Sequence, residues 1–202
     1  MADLAAALMS LYTQLSYPEI DPREVVLKEE LGKYSLDVDQ DTMRDNLALL
    51  SDRFSLAESS RNPRAEVDAK GKAKGAYQWL TEDPYGEGQP AFQTALNRMS
   101  AYYKKRGKEE GRWVTKAKEH NDPTKLTKLQ QEALFFADIF QRKGTTTDRS
   151  DLYPQGKLQE IMKTGNPDVM MDLYLKDWHT KPSDMSPASW QKVIDNARRS
   201  FY

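Results

Sequence analysis

The chain of 202 residues is long enough for one complete hydrophobic core with a short appendage. A formal net charge of −1 gives no reason to expect nucleic acid as a partner, and the absence of cysteine excludes disulfides, thiolate metal sites and a cysteine nucleophile. The balance of 38% hydrophobic and 30% charged residues is polar but still that of a folded domain, because the aromatic residues need a core.

The first segment predicts a helix that prolines separate from the rest of the chain. Residues 2–15 place leucines at helical spacing, and Pro18 and Pro22 end the pattern. The segment has neither the basic start of a secretion signal nor the sustained apolar run of a membrane span. A second short helix is predicted at residues 23–31, with Gly32 as its stop.

The best-patterned helix of the chain is predicted at residues 43–59. Thr42 and Asp45 resemble a capping box at its start, and one face carries a stripe of apolar residues: Met43, Leu47, Leu50, Phe54 and Ala57. Glu58 lies at the edge of this stripe, near the carboxyl end of the helix. A carboxylate there is partly removed from water and faces the negative end of the helix dipole, and both effects favour its protonated form.

The rest of the chain continues the helical pattern, so the predicted fold class is mainly α. Helices are expected in the segment at residues 90–105, after a capping box at Thr127 and Gln130, at residues 155–164 and 167–178, and after Ser186. Residues 106–113 are predicted to be a polar turn region. A small hairpin is expected within residues 66–80, where the only strand-like signal occurs.

Two sequence blocks carry a family resemblance. The stretch ESSRNPRA begins at Glu58, and GKAKGAYQ ends at Gln78. Together they resemble the catalytic signature of lytic transglycosylases of the lysozyme superfamily, in which Glu-Ser-x-x-Asn-Pro-x-Ala is followed by Gly-Ala-x-Gly-Leu-Met-Gln. Ser59 and Gly75 also match, whereas Tyr77 stands at the usual methionine position and the spacing between the blocks is two residues longer than usual.

The end of the chain extends the resemblance. The stretch LYLKDWHTKP, which contains Tyr174, is similar to a segment of transglycosylase domains in bacteriophage virion proteins. A tyrosine often lies beside the catalytic acid in this family; Tyr174 is the favoured candidate, with Tyr102 and Tyr103 as alternatives. The pattern does not reach residues 1–40, which are therefore predicted to be a helical attachment segment preceding a lysozyme-like domain at residues 41–202.

The resemblance implies a specific activity and site. The expected enzyme is a peptidoglycan lytic transglycosylase that cuts the β-1,4 bond between N-acetylmuramic acid and N-acetylglucosamine, without a cofactor or metal ion. Glu58 would be the general acid and then the base, and the sugar's own 6-hydroxyl would attack the anomeric carbon. The implied substrate-binding residues are Ser59, Gly75, Tyr77, Gln78 and Tyr174.

The same resemblance implies a setting, namely a virion that opens the host wall locally during infection. Expected partners are glycan strands and other tail or ejection proteins.

Two alternatives remain open from the sequence. One is a hydrolytic muramidase that uses water and a second carboxylate, for which Glu82 and Asp83 are candidates. The other is a structural virion protein on a lysozyme-like fold with weak or lost activity. A zinc amidase is disfavoured because His120 and His179 lack metal-ligand spacing. Trp79 fits a core position and a sugar platform equally well.

Overall fold

The computed structural model describes residues 21–67, 73–82, 90–141, 155–178 and 185–202. These residues are mainly helical, as predicted. The eight α-helices among them are α1 (Pro22–Leu31), α2 (Gln40–Ser59), α3 (Ala91–Lys105), α4 (Arg112–His120), α5 (Lys128–Gln141), α6 (Gln155–Thr164), α7 (Pro167–Leu173) and α8 (Pro187–Phe201). A 3₁₀ turn (Pro123–Lys125) precedes α5, and a π-helix (Tyr174–Trp178) continues α7.

Helix α5 is the centre of the core. Every residue from Gln131 to Ile139 is buried, so this helix is covered on all sides rather than along one stripe. Helices α1 and α3 pack against it, while α2 packs mainly on α6 and α8. The carboxyl end of α2 therefore lies against α8 and the π-helix, two elements that are far from α2 in the sequence.

Helix α2 begins and ends at well-defined caps. Asp39, not Thr42, is the N-cap: its carboxylate accepts the Thr42 N–H at 2.8 Å, and the helix therefore begins three residues earlier than the sequence predicts. At the other end Ser60 and Arg61 have positive φ angles of 55° and 64°. The Arg61 N–H donates to the Ser55 carbonyl at 3.0 Å, which closes the helix in a Schellman-like turn directly after Ser59.

The predicted hairpin is present as a small antiparallel sheet. Its strands are β1 (Glu66–Val67), β2 (Ala73–Lys74) and β3 (Trp79–Leu80), in the order β1–β2–β3. Ala73 pairs with Leu80, so residues 75–78 form the turn that joins β2 to β3. This turn carries the second block of the signature.

The predicted polar turn at residues 106–113 is wrong at its end, where α4 begins at Arg112. Among the α4 residues only Val114 and Ala117 are buried, so a short and narrow apolar face left little periodicity to recognise.

The packing of α1 shows that the domain boundary predicted near residue 40 is wrong. Val25, Val26 and Leu31 are at most 1% exposed, and the Tyr102 hydroxyl donates to Glu30 at 2.5 Å. Residues 22–31 therefore belong to the core, because their apolar face completes the packing of α5 and α3. The helix predicted at residues 2–15 lies outside the described residues.

Within the described ranges no helix is both long and apolar enough to cross a membrane.

Candidate active site

Glu58 lies half-buried in the last turn of α2, beside Tyr174. The Tyr174 hydroxyl donates a hydrogen bond to the Glu58 carboxylate. Burial raises the pKa of Tyr174 far above its usual value, and the charge and hydrogen bond of Glu58 raise it further, so the phenol stays protonated and remains a donor. Asn196 of α8 donates to the Ala57 carbonyl at 2.8 Å and fixes the same turn of α2 from another side.

The Tyr174 ring is held by aromatic packing. It meets the Phe54 ring edge-on with 5.3 Å between centroids, and the Phe201 ring lies 5.6 Å away. Phe54 is one turn before Glu58 on the same face of α2, so the contact that fixes the ring also directs its hydroxyl toward the carboxylate. Tyr174 is the first residue of the π-helix, a rare conformation that frequently occurs at functional sites.

An ion-pair cluster anchors the π-helix to α6. The Lys157 ammonium lies 2.6 Å from Asp172 and 2.9 Å from Asp177, whose side chain is 5% exposed. Burial alone would lower the pKa of Lys157, but the hydrogen bonds and charges of the two carboxylates outweigh it and raise the pKa. Lys157 is therefore charged at neutral pH, and its two ion pairs fix the segment that carries Tyr174.

Ser59 attaches the turn of residues 75–78 to the end of α2. Its hydroxyl lies 2.8 Å from the Ala76 carbonyl and 3.0 Å from the Ser55 carbonyl, with both oxygens as acceptors. The longer spacing between the two signature blocks therefore does not carry the second block away from α2. Ser59, Gly75 and Gln78 lie on two segments that meet directly beside Glu58.

Gln131 is a site-building residue that the sequence reasoning missed. Its side-chain oxygen accepts the Ala76 N–H at 2.7 Å, and its nitrogen donates to the Pro63 carbonyl at 2.9 Å and to the Leu126 carbonyl at 3.3 Å. One fully buried amide thus joins both signature blocks to α5. The available signal was a glutamine four residues before Phe135, which places both residues on the same side of a predicted helix.

Position 75 requires glycine for two reasons, its backbone conformation and the lack of space for a side chain. Its φ is +81°, and a Cβ there would lie 2.7 Å from the Gln131 side-chain oxygen and 3.2 Å from the Pro123 Cβ. The turn is therefore packed against α5 and the 3₁₀ turn with no room for a side chain.

We expect Gly75→Ala to lower the free energy of unfolding by about 1–3 kcal/mol, from backbone strain together with the displaced Gln131 amide. Chemical denaturation measures the change. Gly156→Ala is the control, because that α6 glycine has open space around it and alanine favours a helix. Equal stabilities of the two variants would contradict the packing described here.

Gln78 is turned inward in this structure. Its φ is 49°, and its side-chain nitrogen donates to the Gly75 carbonyl at 2.9 Å. The side-chain oxygen of Gln78 and the indole nitrogen of Trp79 are both buried, and neither has a hydrogen-bond partner in the described part of the chain. Such orphaned polar atoms are costly and rare in folded proteins, and here an acceptor and a donor occur on adjacent residues of the candidate site.

Glu58 with its tyrosine, and the Ser59-held turn beside it, thus form one site. No protein-family model, curated protein or solved structure matches this chain. Any assignment of function therefore depends on the site and on the sequence blocks that build it.

The interpretation of Tyr77 as a groove residue is wrong. The side chain is buried, its ring stacks on Phe135 with 4.8 Å between centroids, and its hydroxyl lies 2.5 Å from the Ser51 hydroxyl. Burial raises the pKa of Tyr77 strongly. The position is a core position, and Ser51 provides the partner that the buried hydroxyl needs. Trp79 is buried as well, with its ring against Trp178.

The other candidates have partners other than Glu58, are exposed, or lie outside the described residues. The Tyr103 hydroxyl accepts the Trp113 indole N–H at 3.2 Å, and Tyr102 bonds to Glu30 as described above. Glu82 is exposed in the segment after β3, whereas Asp83 and His179 are not among the described residues. His120 ends α4, and the described residues include no group of His, Cys, Asp and Glu side chains suited to a metal ion.

Proposed function

We propose that this chain is a peptidoglycan lytic transglycosylase with a lysozyme-like domain. One observation carries the proposal: a half-buried glutamate at the end of a helix accepts a hydrogen bond from Tyr174, while the adjacent Ser59 holds a Gly-x-x-Gln turn. Glu58, Ser59 and the turn belong to the two blocks that resemble the transglycosylase signature, and Tyr174 belongs to the segment that is similar to virion transglycosylase domains. The three segments that carry them are far apart in the chain and meet at one place.

The residues can perform the required chemistry. Cleavage of a glycosidic bond needs a proton for the leaving oxygen, which the protonated Glu58 carboxyl would donate. The resulting carboxylate would then take the proton of the 6-hydroxyl as that oxygen attacks the anomeric carbon, which gives an anhydro sugar and regenerates the acid. The Tyr174 hydroxyl stabilises the carboxylate form between these two steps and fixes its direction.

The proposed setting is a bacteriophage virion, with cleavage of the host cell wall during infection. The support is the similarity of the segment around Tyr174 to virion transglycosylases. Attachment to tail or ejection proteins is part of the same proposal.

A structural virion protein with weak or lost activity is the second candidate. The inward Gln78 amide and the buried Tyr77 ring favour it, because neither side chain presents a polar group to a sugar in this conformation. A hydrolytic muramidase would differ from both candidates in its products.

Mass spectrometry of digested peptidoglycan tests the proposal. We expect products that end in 1,6-anhydro-N-acetylmuramic acid, because the 6-hydroxyl replaces water as the nucleophile. Reducing ends would instead identify a hydrolase. An absence of products from purified, folded protein would favour the structural role.

A further inference from the structure

A groove of about 380 Å³ lies between α4, the 3₁₀ turn and the start of α5. It is of a size that accommodates small ligands or a short peptide. Ala117 and Leu126 are buried beneath it, and the half-buried Trp113 forms one wall, with its indole N–H fixed by the Tyr103 hydroxyl. Polar side chains surround this apolar floor: Lys116, His120, Lys125, Thr127 and Gln130. Thr127 and Gln130 are already engaged, since each side chain accepts the backbone N–H of the other residue.

The charge of the groove is predominantly positive. Lys116 and Lys125 are exposed at its edge. Asp122 is the one acidic residue in its lining, and its carboxylate already accepts the Thr124 N–H at 3.1 Å and the Thr124 hydroxyl at 2.7 Å. Burial would raise the pKa of Asp122, but these bonds and the charges of Lys74 and Lys125 outweigh it and lower the pKa. Lys116 and Lys125 outnumber this single carboxylate, so the lining keeps a net positive charge that attracts an anionic ligand.

The groove adjoins the candidate active site. Gly75 lies against Pro123 of the 3₁₀ turn and against Gln131, which follows Gln130 of the groove. The hydrogen bond from the Ser59 hydroxyl to the Ala76 carbonyl holds the same turn at the end of α2. A chain bound along this turn would therefore have a cationic, partly apolar groove at one side.

We propose that this groove binds the acidic stem peptide of the glycan substrate. The inference rests on the proposed function, since stem peptides are attached to the N-acetylmuramic acid units of peptidoglycan. They carry carboxylates together with alanyl methyl groups. The carboxylates suit Lys116 and Lys125, and the methyl groups suit the floor of Trp113, Ala117 and Leu126.

The variant Lys116→Glu/Lys125→Glu tests the charge requirement. We expect it to cut intact peptidoglycan at least fivefold more slowly than wild type, and to cut glycan stripped of stem peptides by an amidase at the wild-type rate. Lys163→Glu/Lys192→Glu is the control, because it changes the net charge equally on α6 and α8, away from the groove. Equal rates of the groove variant and the control on intact peptidoglycan would overturn the proposal.

A binding measurement separates this inference from the proposed function. We expect a synthetic N-acetyl-Ala-isoGlu-Lys-Ala peptide, whose two carboxylates exceed its single ammonium group, to shift the NMR signal of the Trp113 indole in wild type, with a weaker shift in the groove variant. If the protein cuts no glycan but binds the peptide in this way, the proposed function fails and the groove assignment stands. If the peptide leaves the Trp113 signal unchanged, the groove assignment fails whatever the activity.

Discussion

Glu58→Gln is expected to lower the rate of glycan cleavage by about 10²–10⁴-fold, because general acid catalysis typically contributes that factor. The amide is far too weak an acid to protonate the leaving oxygen and too weak a base to take the proton of the 6-hydroxyl. Release of anhydro-muramyl products, measured under identical conditions for variant and wild type, gives the rate.

The fold should survive this change. Glu58 is only half-buried, glutamine has the same shape, and its side-chain oxygen still accepts the Tyr174 hydroxyl. The melting temperature should therefore stay close to that of wild type. Glu160→Gln is the matched control, because Glu160 is an exposed glutamate on α6 and should keep full activity. A Glu58→Gln protein that clears a peptidoglycan gel as fast as wild type would exclude Glu58 as the acid.

A chain that begins at Asp39 is expected not to fold. It lacks α1, whose buried apolar side chains are Val25, Val26, Leu27 and Leu31. Burial of each such side chain contributes about 1.5–3 kcal/mol, so their loss removes about 6–12 kcal/mol. That loss is comparable with the whole stability of a typical domain, about 5–15 kcal/mol. Circular dichroism and thermal melting would show the absence of a cooperative transition.

A chain that begins at Asp21 is the control for this truncation. It retains α1 together with its N-cap, since the Asp21 carboxylate accepts the Arg23 N–H at 2.9 Å. We expect it to melt cooperatively. If the chain from Asp39 melts like the chain from Asp21, α1 is dispensable and the attachment role predicted for residues 1–40 regains its basis.

The local sequence pattern was sufficient to predict most of the helices in the described residues. The apolar stripe of α2, the Thr127–Gln130 capping box and the Ser186 N-cap all appear where the sequence predicts them. Each depends on residues three or four apart, so the hydrogen bonds and packing that define them can be recognised without knowledge of the rest of the chain. The local structure of the first signature block was predictable for the same reason, since the block ends a helix and begins a turn within a few residues.

Only the tertiary structure decided how the site is built. The sequence by itself determined a mainly helical chain with a glutamate at a helix end, but not that Tyr174 bonds to it, that Gln131 joins the two signature blocks, or that Tyr77 is buried. These features arise from contacts between segments far apart in the chain, and a side chain's own identity does not fix its partner. The burial of α1 also depends on distant segments, because α5 and α3 cover its apolar face.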